Sequence, residues 1–92
     1  MPYSDLTKFN VSKAPKTLGN QLGRWAVHLD LPVIQIAKAT GATRQTVYNW
    51  FHGREVMNAY KNSVTIIVNI LKTSATAEEA WGKICKAFDL QA

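Results

Sequence analysis

The sequence is poor in cysteine, in acidic residues and in long apolar runs, and each scarcity excludes something. Cys85 is the one cysteine among 92 residues, so an intrachain disulfide is impossible. No run approaches the ~18 apolar residues of a membrane span, and the N-terminus lacks the apolar block of a signal peptide. We therefore expect no membrane partner and a reducing, cytoplasmic location.

The shortage of acidic residues leaves a formal charge of +5, and that charge is unevenly distributed. Residues 1–61 hold eight lysines and arginines against three acidic residues, whereas residues 62–92 hold three of each. The excess of positive charge in the first two thirds is typical of a chain that meets a polyanion. It is also compatible with a simple role in solubility.

Residues in catalytic arrangements are missing as well. The sequence has no phosphate-binding glycine loop, no cysteine and histidine set with metal-ligand spacing and no evident carboxylate pair. Cys85 has no obvious activating partner and is expected to act as a small buried apolar residue. The sequence thus predicts a protein that is not an enzyme and takes no cofactor, metal or small-molecule ligand.

Residues 17–92 carry the periodicity of helices, whereas residues 1–16 do not. Apolar side chains at 3.6-residue spacing predict five helices, at about 17–30, 33–40, 43–52, 59–73 and 76–90. Thr17, Thr43 and Thr76 suit the N-cap positions, and Glu79 would complete a capping box with Thr76. Residues 1–16 include two of the three prolines and predict an irregular N-terminal arm, in which a short strand at Leu6–Val11 would lack a partner.

The segment Pro32–Arg54 has the pattern of a helix-turn-helix. Ala37 is small where two helices must approach closely, and Gly41 suits a turn that needs a left-handed backbone. Apolar residues occupy the positions that would seal against a core, namely Ile36, Val47 and Trp50. In such a motif the second helix lies in the major groove of DNA.

Together with the residues that follow, this segment resembles the lambda-repressor-like family of Cro and phage-repressor DNA-binding domains. The similarity covers Leu18–Phe88 and includes Trp50–Gly53 and Met57–Tyr60. It implies an all-α, five-helix lambda-repressor-like domain at residues 17–92, preceded by the arm at residues 1–16. Two positions depart from the family, since Val33 stands where glutamine is frequent and Thr40 where a larger apolar residue is usual.

Polar residues of the predicted third helix are the candidates for contact with base edges. Arg44 can donate two parallel hydrogen bonds to guanine and Gln45 can pair with adenine, although Arg44 could instead pair with a surface acid. Tyr48 and Asn49 complete this set, or are solvated without contact. The phosphate candidates, some of them implied only by the resemblance, are Thr43, His52, Asn58, Lys61, Arg24 and Lys38.

The predicted fifth helix and the arm each leave two interpretations open. In the resembled repressors the last helix supplies the dimer contact, which here would be Trp81, Ile84, Cys85 and Phe88; the same residues could instead complete the core of a monomer. The arm could touch a duplex through Lys8, Lys13 and Lys16, or pack back through Tyr3, Leu6 and Phe9. His28 is expected to be an ordinary, partly buried histidine.

These patterns predict a sequence-specific regulator that binds double-stranded DNA. The resemblance favours a Cro-like transcriptional repressor of phage or prophage type, in a bacterial or phage-infected cell, bound as a homodimer to a near-palindromic operator. One alternative is a DNA-recognition subunit of a packaging, replication or recombination complex. Another is a helix-turn-helix module that binds an acidic protein.

Overall fold

The computed structural model of the chain describes residues 2–91, and within this range the chain forms six helices and no strand. The helices are α1 (Asp5–Lys13), α2 (Leu18–Leu29), α3 (Val33–Thr40), α4 (Arg44–Phe51), α5 (Asn58–Lys72) and α6 (Ala77–Ala87). The all-α prediction is confirmed, but the predicted count of five helices is wrong. None of the described helices is long and apolar enough to cross a lipid bilayer.

Threonine side chains cap the N-termini of three helices, as predicted. The side chains of Thr17, Thr43 and Thr76 each accept a hydrogen bond from the backbone N–H three residues later. Glu79 also turns back, but its carboxylate accepts from the N–H of Ala75 at 3.3 Å and not from that of Thr76. These caps supply acceptors for N–H groups that have no partner inside the helix.

The first helix replaces the irregular arm, and the strand considered for Leu6–Val11 is absent. The Ser4 hydroxyl caps α1 by accepting from the N–H of Thr7 at 3.1 Å, and Lys13 lies in the last turn, near the negative end of the helix. Val11 is the one buried residue of α1, so the sequence shows no apolar stripe. Apolar periodicity does not predict a helix that has only its caps and a single buried residue to stabilise it.

The N-terminal segment nevertheless belongs to the core. Tyr3 and Val11 are buried in the same apolar cluster as α2 and α4, and the Tyr3 hydroxyl donates a hydrogen bond to the carbonyl of Leu31. The segment therefore packs back onto the domain through Tyr3, whereas Leu6 and Phe9, which one of the two interpretations of the arm grouped with it, are exposed.

The core lies where α2 meets α1, α4 and α5, and where α3 meets α4, α5 and α6. Its large, fully buried apolar side chains come from every helix and one connecting loop, and they are Val11, Leu22, Leu31, Ile36, Val47, Phe51, Val64, Ile67, Leu71 and Ile84. Because α2 contacts both α4 and α5, it sets the position of the segment predicted to bind DNA.

The last helix contributes to the core of this chain, which is one of the two interpretations given for its apolar residues, and the dimer contact stays a prediction. Ile84 and Cys85 are buried within the domain, and Trp81 and Phe88 are partly buried against the same cluster. His28, expected to be partly buried, is exposed beside the ring of Trp25.

Candidate nucleic-acid interface

The candidate interface is the solvent side of α4, and its orientation depends on the opposite side of the same helix. Val47, Trp50 and Phe51 are buried there, against α2. Two glycines of α2 allow this approach: a Cβ on Gly19 would lie 2.6 Å from Cβ of Trp50, and one on Gly23 would lie 2.7 Å from Cγ of Phe51. Since real Cβ atoms essentially never come that close, the two helices meet at a distance that only glycine permits at these positions.

The turn between α3 and α4 is short, and hydrogen bonds of its own residues to the end of α3 hold it. Gly41 has a φ of 80°, in the left-handed region, and its N–H donates to the carbonyl of Ala37 at 2.9 Å. The Thr40 hydroxyl donates to the Ile36 carbonyl at 2.9 Å and accepts from the N–H of Ala42 at 3.3 Å. The Thr40 side chain thus connects the turn to the end of α3.

The buried side chain of Asn20 binds the C-terminal end of α4, a contact that the sequence patterns did not predict. Its Nδ2 donates to the carbonyl of Phe51 at 2.7 Å and to the carbonyl of Val11 at 3.0 Å. Arg24 supports it, because its Nε donates to Asn20 Oδ1 at 2.7 Å and its Nη2 to the carbonyl of Ser12 at 3.0 Å. The ends of α1 and α4 are therefore held by one amide.

The available signal for Asn20 was the spacing of small residues in α2. Gly19, Gly23 and Ala26 recur at helical intervals on its buried side, and such a run indicates a close helix crossing. The larger apolar residues of α2, namely Leu18, Trp25 and Leu29, are only partly buried. The true inward side is therefore rotated toward the small residues and includes Asn20.

Polar side chains cover the solvent side of α4, where they were predicted to lie. Thr43, Arg44, Gln45 and His52 are exposed, and Asn49 and Tyr48 are half-buried. Gln45 Nε2 donates to Asn49 Oδ1 at 3.1 Å. We call the set Thr43, Arg44, Gln45, Tyr48, Asn49 and His52 the outer side of α4.

The electrostatics of the outer side of α4 favour anions. No acidic residue occurs from Leu31 to Arg54, a stretch that contains Lys38 and Arg44. The one ion pair within residues 2–91 joins Lys83 to Glu79, so no carboxylate neutralises the Arg44 guanidinium. The interpretation of Arg44 as half of a surface ion pair therefore has no support in the structure.

Tyr3 packs against α4 through the ring of Phe51. Its ring lies 6.1 Å from that of Phe51, which in turn lies 6.1 Å from the ring of Tyr48. Burial raises the pKa of the Tyr3 phenol well above its ordinary value, and nearby Tyr48 and Asp30 raise it further. The neutral phenol is thus the form that fits the fold.

The predicted phosphate contacts outside α4 have different surroundings. Lys38, Asn58 and Lys61 are exposed, in the last turn of α3 and the first turn of α5. Arg24 is instead engaged within the chain through two of its nitrogens. Arg24 therefore has a structural role, and the other three are open to solvent.

Comparison with protein-family models, with curated proteins and with solved structures finds no match to this chain. The basis for assigning a function is therefore the geometry and chemistry around α4.

Proposed function

We propose that the chain is a sequence-specific DNA-binding protein that regulates transcription, with α3 and α4 as a helix-turn-helix and α4 in the major groove. The observation that carries this proposal is the outer side of α4. It combines a guanidinium, two amides and a phenol, and no carboxylate lies among them. The buried side of the same helix is fixed by glycine contacts and by Asn20.

The donors and acceptors suit the edges of base pairs. In this proposal Arg44 donates two hydrogen bonds to O6 and N7 of guanine. The hydrogen bond from Gln45 to Asn49 leaves the Gln45 carbonyl oxygen and the Asn49 amide nitrogen free within that pair. These two atoms are an acceptor and a donor, which complement the donor at N6 and the acceptor at N7 of adenine.

Phosphate contacts would come from both ends of the motif. Thr43 lies at the N-terminus of α4, where backbone N–H groups and the helix dipole favour an anion. Lys38, Asn58 and Lys61 are exposed on the neighbouring helices, and His52 lies at the C-terminus of α4. Such contacts fix the register of a protein on a duplex without reporting its sequence.

A DNA partner agrees better with the outer side of α4 than a protein partner does. Protein interfaces are centred on exposed apolar or aromatic anchors. Within residues 2–91 the large exposed apolar side chains are Leu6, Phe9, Ile34, Met57 and Ile66, and none of them belongs to α4. The acidic-protein alternative would therefore have no large exposed apolar anchor on this helix, only the half-buried ring of Tyr48.

Selection of bound duplexes from a random library, followed by affinity measurements on the selected site, tests the proposal. Arg44→Ala is expected to cost about 1–3 kcal/mol on that site and to relax the preference at one base pair. Lys72→Ala is the matched control, because Lys72 is an exposed cation in the last turn of α5, outside the motif. Equal losses for the two variants, or no enrichment of any sequence, would contradict the proposal.

Genomic footprinting then separates a regulator from a subunit of a larger assembly. A transcriptional repressor of the phage type should protect a short dyad that overlaps a promoter. A packaging, replication or recombination subunit should protect the assembly site of its own complex. Protection confined to sites of the second kind would contradict the regulatory part of the proposal.

A further inference from the structure

The solvent side of α1 carries an apolar pair that no residue within 2–91 covers. Leu6 and Phe9 are 69% and 57% exposed, and their spacing of three residues places them side by side on the helix. Val11, the buried residue of α1, lies on the opposite side. Among the described residues, no other helix exposes two large apolar side chains so close together in sequence.

Charges of opposite sign stand at the two ends of the same helix. Asp5 is in the first turn of α1 and Lys13 is in the last, and both are exposed. Lys13 Nζ lies 5.6 Å from the centre of the Phe9 ring, so the lysine is on the side that carries the apolar pair. Neither residue is in an ion pair within residues 2–91. An acid at one end and a base at the other are complementary to the same helix running in reverse.

We propose that α1 pairs in antiparallel fashion with α1 of a second copy of the chain. In this twofold arrangement Leu6 packs against the partner's Phe9, and Asp5 pairs with the partner's Lys13. With that register the acidic and basic residues are offset by three residues, roughly 4.5 Å along the helix axis. A flexible lysine side chain can span that offset.

The short helix makes this a weak dimer. Nine residues extend only about 13.5 Å, so the contact falls in the class of small, transient interfaces. We expect a dissociation constant on the order of 100 μM for the free protein. α6 contributes Ile84 and Cys85 to the core of each copy, whereas Leu6 and Phe9 of α1 are exposed.

Mixing two charge variants tests the pairing by sedimentation equilibrium without DNA. Asp5→Lys alone and Lys13→Glu alone each place like charges opposite one another, and each is expected to weaken the dimer at least threefold. In an equimolar mixture both opposite-charge pairs form again across a heterodimer. The mixture should therefore associate as tightly as the wild type.

The mixture distinguishes pairing from damage to α1. Each variant carries the same change in its own helix whether it is alone or mixed, so loss of helix stability cannot be rescued by mixing. A mixture that associates no better than its two components would overturn the proposal. A wild-type chain that stays monomeric at 1 mM, about ten times the expected dissociation constant, would overturn it too.

A matched pair of apolar substitutions locates the contact. Leu6→Glu should reduce association more than tenfold, because it puts two carboxylates into the centre of the proposed interface. Met57→Glu is the control, since Met57 is 70% exposed but lies outside α1. Equal effects of the two substitutions would contradict the assignment to α1. DNA binding by the outer side of α4 is measured separately and does not depend on this result.

Discussion

Gly23→Ala is expected to destabilise the fold, although alanine is the better helix former. The added Cβ would lie 2.7 Å from Cγ, 2.8 Å from Cβ and 3.0 Å from Cα of Phe51. Phe51 is fully buried, so it cannot move away without shifting α4 or the side chains around it. The substitution thus acts on the contact that orients the candidate interface.

The expected magnitude is the difference between two opposing effects. Overpacking a tight core costs roughly 1–3 kcal/mol, and the upper part of that range applies because the overlap is with a ring and a backbone atom. Replacing glycine by alanine within a helix gains about 0.5–1 kcal/mol. A net loss of about 2 kcal/mol remains, which corresponds to a fall of roughly 8–16 °C in the melting temperature of a domain this small.

Gly82→Ala is the control for helix propensity alone. Gly82 lies in the middle of α6, and a Cβ there would meet nothing within 4 Å. This variant should melt higher than the wild type, by roughly 2–8 °C. Thermal unfolding followed by circular dichroism measures both. A Gly23→Ala chain as stable as the wild type would refute the view that glycine sets the distance between α2 and α4.

Three other substitutions test the turn, the buried amide and the buried phenol. Gly41→Ala should lower the free energy of unfolding by about 1–2 kcal/mol from left-handed backbone strain alone, and Gly41→Asn should lower it less. Urea unfolding measures both, and equal losses would argue against strain. Asn20→Ala should cost roughly 2–4 kcal/mol in the same assay, because it leaves two buried carbonyls without this donor; a loss below 1 kcal/mol would contradict that role. The pKa of Tyr3 is raised on folding, so its contribution is complete below the unfolded value near 10 and is lost as the pH rises beyond it. The free energy of unfolding of Tyr3→Phe should therefore fall less steeply above pH 10 than that of the wild type. If the two free energies fall in parallel with pH, Tyr3 is not the group responsible.

Sequence patterns predicted the central helices well because local signals and burial agree there. The predicted range of α3 was correct, and the Thr43 cap and the burial of Val47 and Trp50 in α4 were confirmed. In this segment the turn glycine, the cap and the apolar spacing each indicate the same structure. The polar outer side of α4 follows directly from that agreement.

The missed features depend on contacts between distant parts of the chain. α1 contributes one buried residue, so its place in the core depends on Asn20 and Tyr3 and not on an amphipathic pattern. Helix propensity counts Gly19 and Gly23 against α2, because it does not register the close approach of α4 that glycine allows there. Their role is to let α4 approach α2 closely, and it can be recognised only from the folded structure.

α1 thereby links the two surfaces proposed for this chain. The Asn20 amide joins the carbonyl of Val11 in α1 to that of Phe51 in α4, while Leu6 and Phe9 face outward from the same short helix. A chain that began at residue 17 would lose the burial of Tyr3 and Val11, worth roughly 1.5–3 kcal/mol each, in addition to their hydrogen bonds. That loss is large against the 5–15 kcal/mol that stabilise an ordinary domain. The N-terminal helix is therefore part of what holds α4 in place.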